Sequence, residues 1–148
     1  MNPLPLPRCD FDAEGLQTRV RILVPGRLDA ISPAVDRVMG EARALECAQG
    51  KEFEIETALR EALANAIRHG CAHDATQTVE VCVACDESAG MLIVVRDPGP
   101  GFDPAAIASP TVGQNIYRHH GRGIYLINQL MDEVSFEKGG TEIRMRKR

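Results

Sequence analysis

A chain of 148 residues is long enough to bury one proper core and short enough to be a single domain. Hydrophobic residues make up 44% and charged residues 26%, the balance of a soluble globular protein. A net charge of −4 argues against a general affinity for nucleic acid or anionic membrane, and no apolar stretch approaches the ~20 residues that span a bilayer.

Residues 1–10 read as a short extended arm, with prolines alternating through Met1-Asn2-Pro3-Leu4-Pro5-Leu6-Pro7. The arm has neither the charged start nor the unbroken apolar run of a signal peptide. Five cysteines, Cys9, Cys47, Cys71, Cys82 and Cys85, form an odd set without disulfide-scaffold spacing. With no export signal, the expectation is a cytoplasmic protein with reduced thiols.

Residues 11–148 read as one domain. Leu16 to Val24 alternates and stops at Pro25-Gly26, as a half-buried strand does. Ser32 to Ala48 places Ala34, Val35, Val38, Met39, Ala42 and Leu45 at helical spacing, with Ser32 as the expected N-cap, Pro33 at the first turn and Gly50 as the stop. Glu52 to His69 is the most regular helix, ended by Gly70. Thr78 to Cys85 and Met91 to Arg96 predict a hairpin. Residues 98–120 lack periodicity, and a loop of that length inside a compact domain is usually functional. A helix from Gly123 to Met131 follows, then strands Val134–Glu137 and Thr141–Arg146 joined by Gly139-Gly140. The basic run Arg144, Arg146, Lys147, Arg148 reads as the solvated end of the last strand. Antiparallel hairpins alternating with amphipathic helices predict an α+β fold, a two-layer sandwich with helices over one face of a mixed, mostly antiparallel sheet.

Three short elements carry chemistry. On the second helix, Ile55, Leu59, Ala62, Leu63 and Ala66 form an apolar arc. Glu54, Thr57, Glu61, Asn65 and Arg68 share the opposite stripe. A carboxylate and an amide one turn apart can act as a proton acceptor and a hard-cation ligand; the same stripe also fits a merely wet helix face. Asp97-Pro98-Gly99-Pro100-Gly101 follows an apolar strand. Asp97 can accept from an exocyclic amine, and Gly99 and Gly101 permit close backbone approach, although the string is also ordinary turn chemistry. Gly121-Arg122-Gly123 opens the third helix, where exposed N–H groups and Arg122 suit a phosphate, or simply a glycine-rich helix start. A competing zinc reading of Cys82-x-x-Cys85 is weakened because an i, i+3 pair in a strand points to opposite faces. His119-His120 reads as a solvated pair.

In this order the elements resemble the N, G1 and G2 boxes of the Bergerat-fold (GHKL) ATP-binding domains of gyrase-type ATPases and histidine kinases. The runs Asn65-Ala66-Ile67-Arg68-His69-Gly70, Asp97-Pro98-Gly99-Pro100-Gly101-Phe102-Asp103-Pro104 and Gly140-Thr141-Glu142-Ile143-Arg144-Met145 are similar to bacterial anti-sigma-factor serine/threonine kinases. That resemblance implies binding of ATP or ADP with Mg²⁺. Glu61 would be the general base and Asn65 the metal ligand. Asp97 would hold adenine, with Thr141 nearby and Gly99 and Gly101 shaping the pocket. Gly121, Arg122, Gly123 and Arg68 would face the phosphates, and residues 102–120 would be the ATP lid. Pro98 departs from the polar residue that many relatives carry there. Only residues 1–10 precede the domain, so a self-contained histidine kinase with its own phosphoacceptor helix is not expected. The implied partners are a small antagonist protein phosphorylated on serine or threonine, a sigma factor, and a second copy in a homodimer, without direct nucleic-acid or membrane contact. The alternatives are a nucleotide-gated binding module without significant transfer and a stand-alone GHKL ATPase or kinase of another signalling pathway.

Overall fold

A computed structural model describes residues 18–72, 74–86, 89–99 and 122–148. The arm at 1–10, the lid at 102–120, Gly101, Gly121 and His119-His120 lie outside the described residues. The elements run β1 (Thr18–Pro25), α1 (Ile31–Ala44), α2 (Glu52–Asn65), β2 (Thr78–Asp86), β3 (Gly90–Arg96), α3 (Arg122–Leu130), β4 (Glu133–Glu137) and β5 (Glu142–Lys147). The strands form one sheet in the order β1-β2-β3-β5-β4. Every described pairing is antiparallel, so the expected mixed character is absent among these strands.

Alternation in the strands decides the layers. Val20, Ile22 and Val24 of β1, Val79, Val81 and Val83 of β2, Met91, Ile93 and Val95 of β3, and Ile143 and Met145 of β5 join one core with the helices. The apolar arc of α2 is buried as its spacing predicts, from Ile55, Leu59 and Leu63 at 0% exposure to Ala66 at 6%. At about 25 cal/mol per Å² of apolar surface, each fully buried Leu or Ile contributes roughly 1.5–3 kcal/mol. This is the expected two-layer α+β architecture.

The opposite face is also covered in its middle, where Cys82, Ala84, Leu92 and Val94 are buried. At one end it carries a charge ladder. Glu80, Arg96 and Glu142 stand in register on β2, β3 and β5. Arg96 Nη1 donates to Glu80 Oε1 at 3.0 Å and Arg96 Nε to Glu142 Oε1 at 2.9 Å, while Arg21 Nε reaches Glu80 diagonally at 2.8 Å. The basic end of β5 folds back onto the α3–β4 turn. Lys147 Nζ donates to the Leu130 carbonyl at 2.7 Å, and Arg148 pairs with Glu133 at 2.7 Å. No helix among the described residues is long and apolar enough to cross a membrane.

Three local expectations are corrected. Helix α1 starts at Ile31 without a side-chain cap, and Ser32 Oγ instead accepts from Arg60 Nη1 at 3.0 Å. The helix also stops early, at Ala44. Gly50 does not end it but sits at φ 75° in the connection to α2, a left-handed conformation that glycine adopts without steric cost. Finally, reduced thiols do not describe Cys47 and Cys85, which are joined as a disulfide with Cα atoms 6.2 Å apart. Their separation of 38 residues, with one partner in a loop, carries no spacing signal in the sequence. Cys85 faces the helices and Cys82 the other face, as strand alternation requires.

Candidate functional site

Helix α2 does not run regularly to His69. It ends at Asn65 and continues as one π turn, Ala66–Gly70, in which the Cys71 N–H donates to the Ala66 carbonyl at 2.9 Å. A π turn inserts a residue's worth of backbone, and such bulges recur at functional sites. Here it carries His69 and Gly70 to the end of β3. Gly70 has no left-handed φ, so helix termination is not what requires glycine. A methyl group there would lie 2.2 Å from Asp97 Cγ. Gly99 is held equally close, since a methyl group on it would sit 2.6 Å from the backbone of Gly70.

Asp97 leaves β3 pinned at two points. Its N–H donates to the Thr141 carbonyl at 2.9 Å, and its Oδ1 accepts the Gly99 N–H at 2.8 Å. Burial pushes its carboxyl above the usual carboxylate range, opposed in part by the Gly99 hydrogen bond and by the charge of His69. Among the described residues it has no lysine or arginine partner. It stands at the end of a slot lined by Ala62, Asn65, Ala66, His69, Gly70, Val95, Ile124, Phe136, Gly140, Thr141 and Ile143. Gly140, at φ 89°, turns the chain from β4 into β5 beneath this slot. The cavity measures about 40 Å³.

Glu61 and Asn65 do share a face, and it is not simply a wet one. Both are half-buried. The start of α3 lies against them: a methyl group on Gly123 would be 2.9 Å from Glu61 Oε2 and 3.0 Å from Asn65 Nδ2. The third helix thus brings its N-terminal turn onto the acid and the amide.

The fold therefore brings together Asn65, Asp97 and Thr141 around one slot, with Gly99 packed against Gly70 and Asp97, and Glu61 and Gly123 beside Asn65. Arg122 begins α3, and its side chain lies outside the described residues. Arg68 is exposed and does not line the slot. Sequence reasoning missed the packing role of Gly70, the pocket position of His69, and the walls Ile124, Phe136 and Gly140. Gly70 alone carried a signal, its place five residues after Asn65, and that was read as a helix stop.

The residues suit a nucleotide. A half-buried carboxylate stands among apolar walls and the polar side chains of Asn65, His69 and Thr141, glycines pack closely against it, and a helix N-terminus adjoins an acid–amide pair. No curated protein matches the chain. The family described as the histidine kinase-like ATPase domain matches residues 24–147, which span every strand and helix bearing on this slot. The chain belongs to the histidine kinase-like ATPase domain family, and its fold is that of a GHKL-type ATP-binding domain.

Proposed function

We propose that this protein is an ATP- and Mg²⁺-dependent serine/threonine protein kinase of the anti-sigma-factor type, which phosphorylates a small antagonist protein and controls a sigma factor by exchanging partners as a homodimer. The observation that carries the site is the juxtaposition of Glu61 and Asn65 with the N-terminal turn of α3, beside the slot that ends in Asp97. In this reading Asp97 accepts from the adenine amine, with Thr141 beside it, and Gly99 and Gly101 admit the base. Gly121, Arg122 and Gly123 face the phosphates, and Arg68 joins them from the exposed side of α2. Asn65 holds the metal through its amide oxygen. Mg²⁺, when bound, neutralises charge developing on the transferred group. Glu61 takes the proton of the attacking hydroxyl, and the α3 N–H groups orient the phosphate chain. The choice of a serine or threonine acceptor and of a sigma-factor pathway rests on the resemblance of the three boxes to that kinase family.

The test pairs binding with transfer. Calorimetric titration with a non-hydrolysable ATP analogue should give Mg²⁺-dependent binding to the wild type and to Glu61→Gln alike. Transfer from radiolabelled ATP to a candidate antagonist should fall by at least a hundredfold in Glu61→Gln, the scale of a positioned base. Undiminished transfer would remove Glu61 from that role. Binding without transfer to any candidate antagonist would leave a nucleotide-gated binding module, and transfer to an unrelated signalling protein would place the chain in another pathway.

A further inference from the structure

The end of the sheet away from Asp97 has chemistry of its own. Cys85, near the end of β2, pairs with Met91 at the start of β3, whereas Asp97 follows the other end of that strand. Its disulfide to Cys47 therefore ties the corner between α1 and α2 to the end of β2 remote from Asp97. Cys71, the free thiol among the described residues, is buried. Cys85 is buried too, at 8% exposure, whereas Cys47 is half-buried. A surface cavity of about 330 Å³ is lined by both cysteines together with Arg19, Glu46 and Arg148. Glu46 sits at φ 59°, and residues 45–51 form turns rather than helix or strand. Access to Cys47 and a corner that is neither helix nor strand are what a reducible bond needs.

We propose that Cys47–Cys85 is a reversible redox-modification site, opened and closed by exchange with a low-molecular-weight thiol. A thiolate of that class attacks Sγ of Cys47, the more exposed residue. The S–S bond breaks, a mixed disulfide forms on Cys47, and Cys85 leaves as a thiolate that takes up a proton. A second thiolate attacks the external sulfur of the mixed disulfide, and Cys47 leaves and is protonated in turn. Two external thiols become one disulfide while the protein gains two electrons and two protons; the reverse sequence closes the bond. Helix α2 stays seated through Ile55, Leu59 and Leu63, so opening releases the corner and leaves Glu61 and Asn65 in place. The switch therefore acts on stability and on the surface around the corner, independently of the kinase reading.

The experiment equilibrates the 148-residue chain in buffers of graded reduced-to-oxidised glutathione ratio, quenches in acid, alkylates and maps the thiols by mass spectrometry. Cys47 and Cys85 should become alkylated together in one two-electron step without denaturant. Opening should lower Tm by about 10 °C while ATP-analogue affinity stays within threefold. Cys85→Ser should accumulate glutathione on Cys47, and Cys47→Ser at least tenfold less on Cys85. If both thiols are alkylated at every ratio, remain closed until the chain is denatured, or titrate separately, the proposal fails. The wild-type titration decides this even if a variant does not fold.

Discussion

Arg96 closes β3 on the outer face of the sheet, where Glu80 and Glu142 stand opposite it on the two flanking strands. Asp97, one residue on, turns beneath the end of α2 into a slot that it shares with Asn65, His69 and Thr141. The first position answers charge with charge across three strands in register. The second holds a carboxylate against burial with one backbone donor and the charge of His69. The ladder ties strands together and leaves nothing over for a ligand. The slot tolerates an awkward group, and a group whose ionisation is opposed by its surroundings is the one a ligand's donor can relieve. A paired charge and a carboxylate whose ionisation is opposed thus sit on neighbouring residues, the last of β3 and the one that follows it.

The comparison breaks most visibly at Asp97. Asp97→Asn should weaken ATP-analogue binding at least a thousandfold, about 4 kcal/mol, in calorimetric titration, and leave the fold intact. Unchanged affinity would take Asp97 out of the site. Glu142→Ala tests the opposite side. It removes one of the two carboxylates flanking Arg96 from a side chain that is 4% exposed, and should cost about 3 kcal/mol in urea denaturation while nucleotide affinity shifts less than threefold. Gly70→Ala probes the contact between the two regions. Its methyl group would drive into the Asp97 carboxylate, so a loss of about 2 kcal/mol in stability and at least tenfold in affinity is expected.

The smallest effect sharpens the contrast through pH. The Asp97 carboxyl lies above its unfolded value because of burial, so the folded state holds that proton more tightly than the unfolded chain does. The stability it contributes is fully present below the ordinary carboxylate range and is lost as pH rises through the raised folded value. Asp97→Asn lacks this slope. The Tm of the variant minus that of the wild type should therefore grow across that window and level off above it, by on the order of 2 °C. A difference that shrinks with rising pH would mean that the carboxylate is stabilised where it sits.

Much of this was legible because it is periodic or local. The apolar arc of α2, the alternation of β2 and β3, and the glycine pair joining β4 to β5 appear where spacing places them. Register follows from alternation, since a slip by one residue would turn each strand's core face outward. What spacing could not reveal depends on partners far along the chain. Gly70 looks like a helix stop until Asp97 lies over it, and Ser32 looks like a cap until Arg60 occupies its hydroxyl.

By itself the sequence determined the element types, the buried faces and the candidates Glu61, Asn65, Asp97, Gly123 and Thr141, because side-chain period and local backbone demands act within a few residues. Only the tertiary structure decided that α2 ends in a π turn, that α3 starts against Glu61 and Asn65, that Arg96 is ion-paired while Asp97 has no lysine or arginine partner among the described residues, and that Cys47 meets Cys85. Each of these depends on contacts between segments tens of residues apart, and those contacts are set by packing of the whole core rather than by any local pattern.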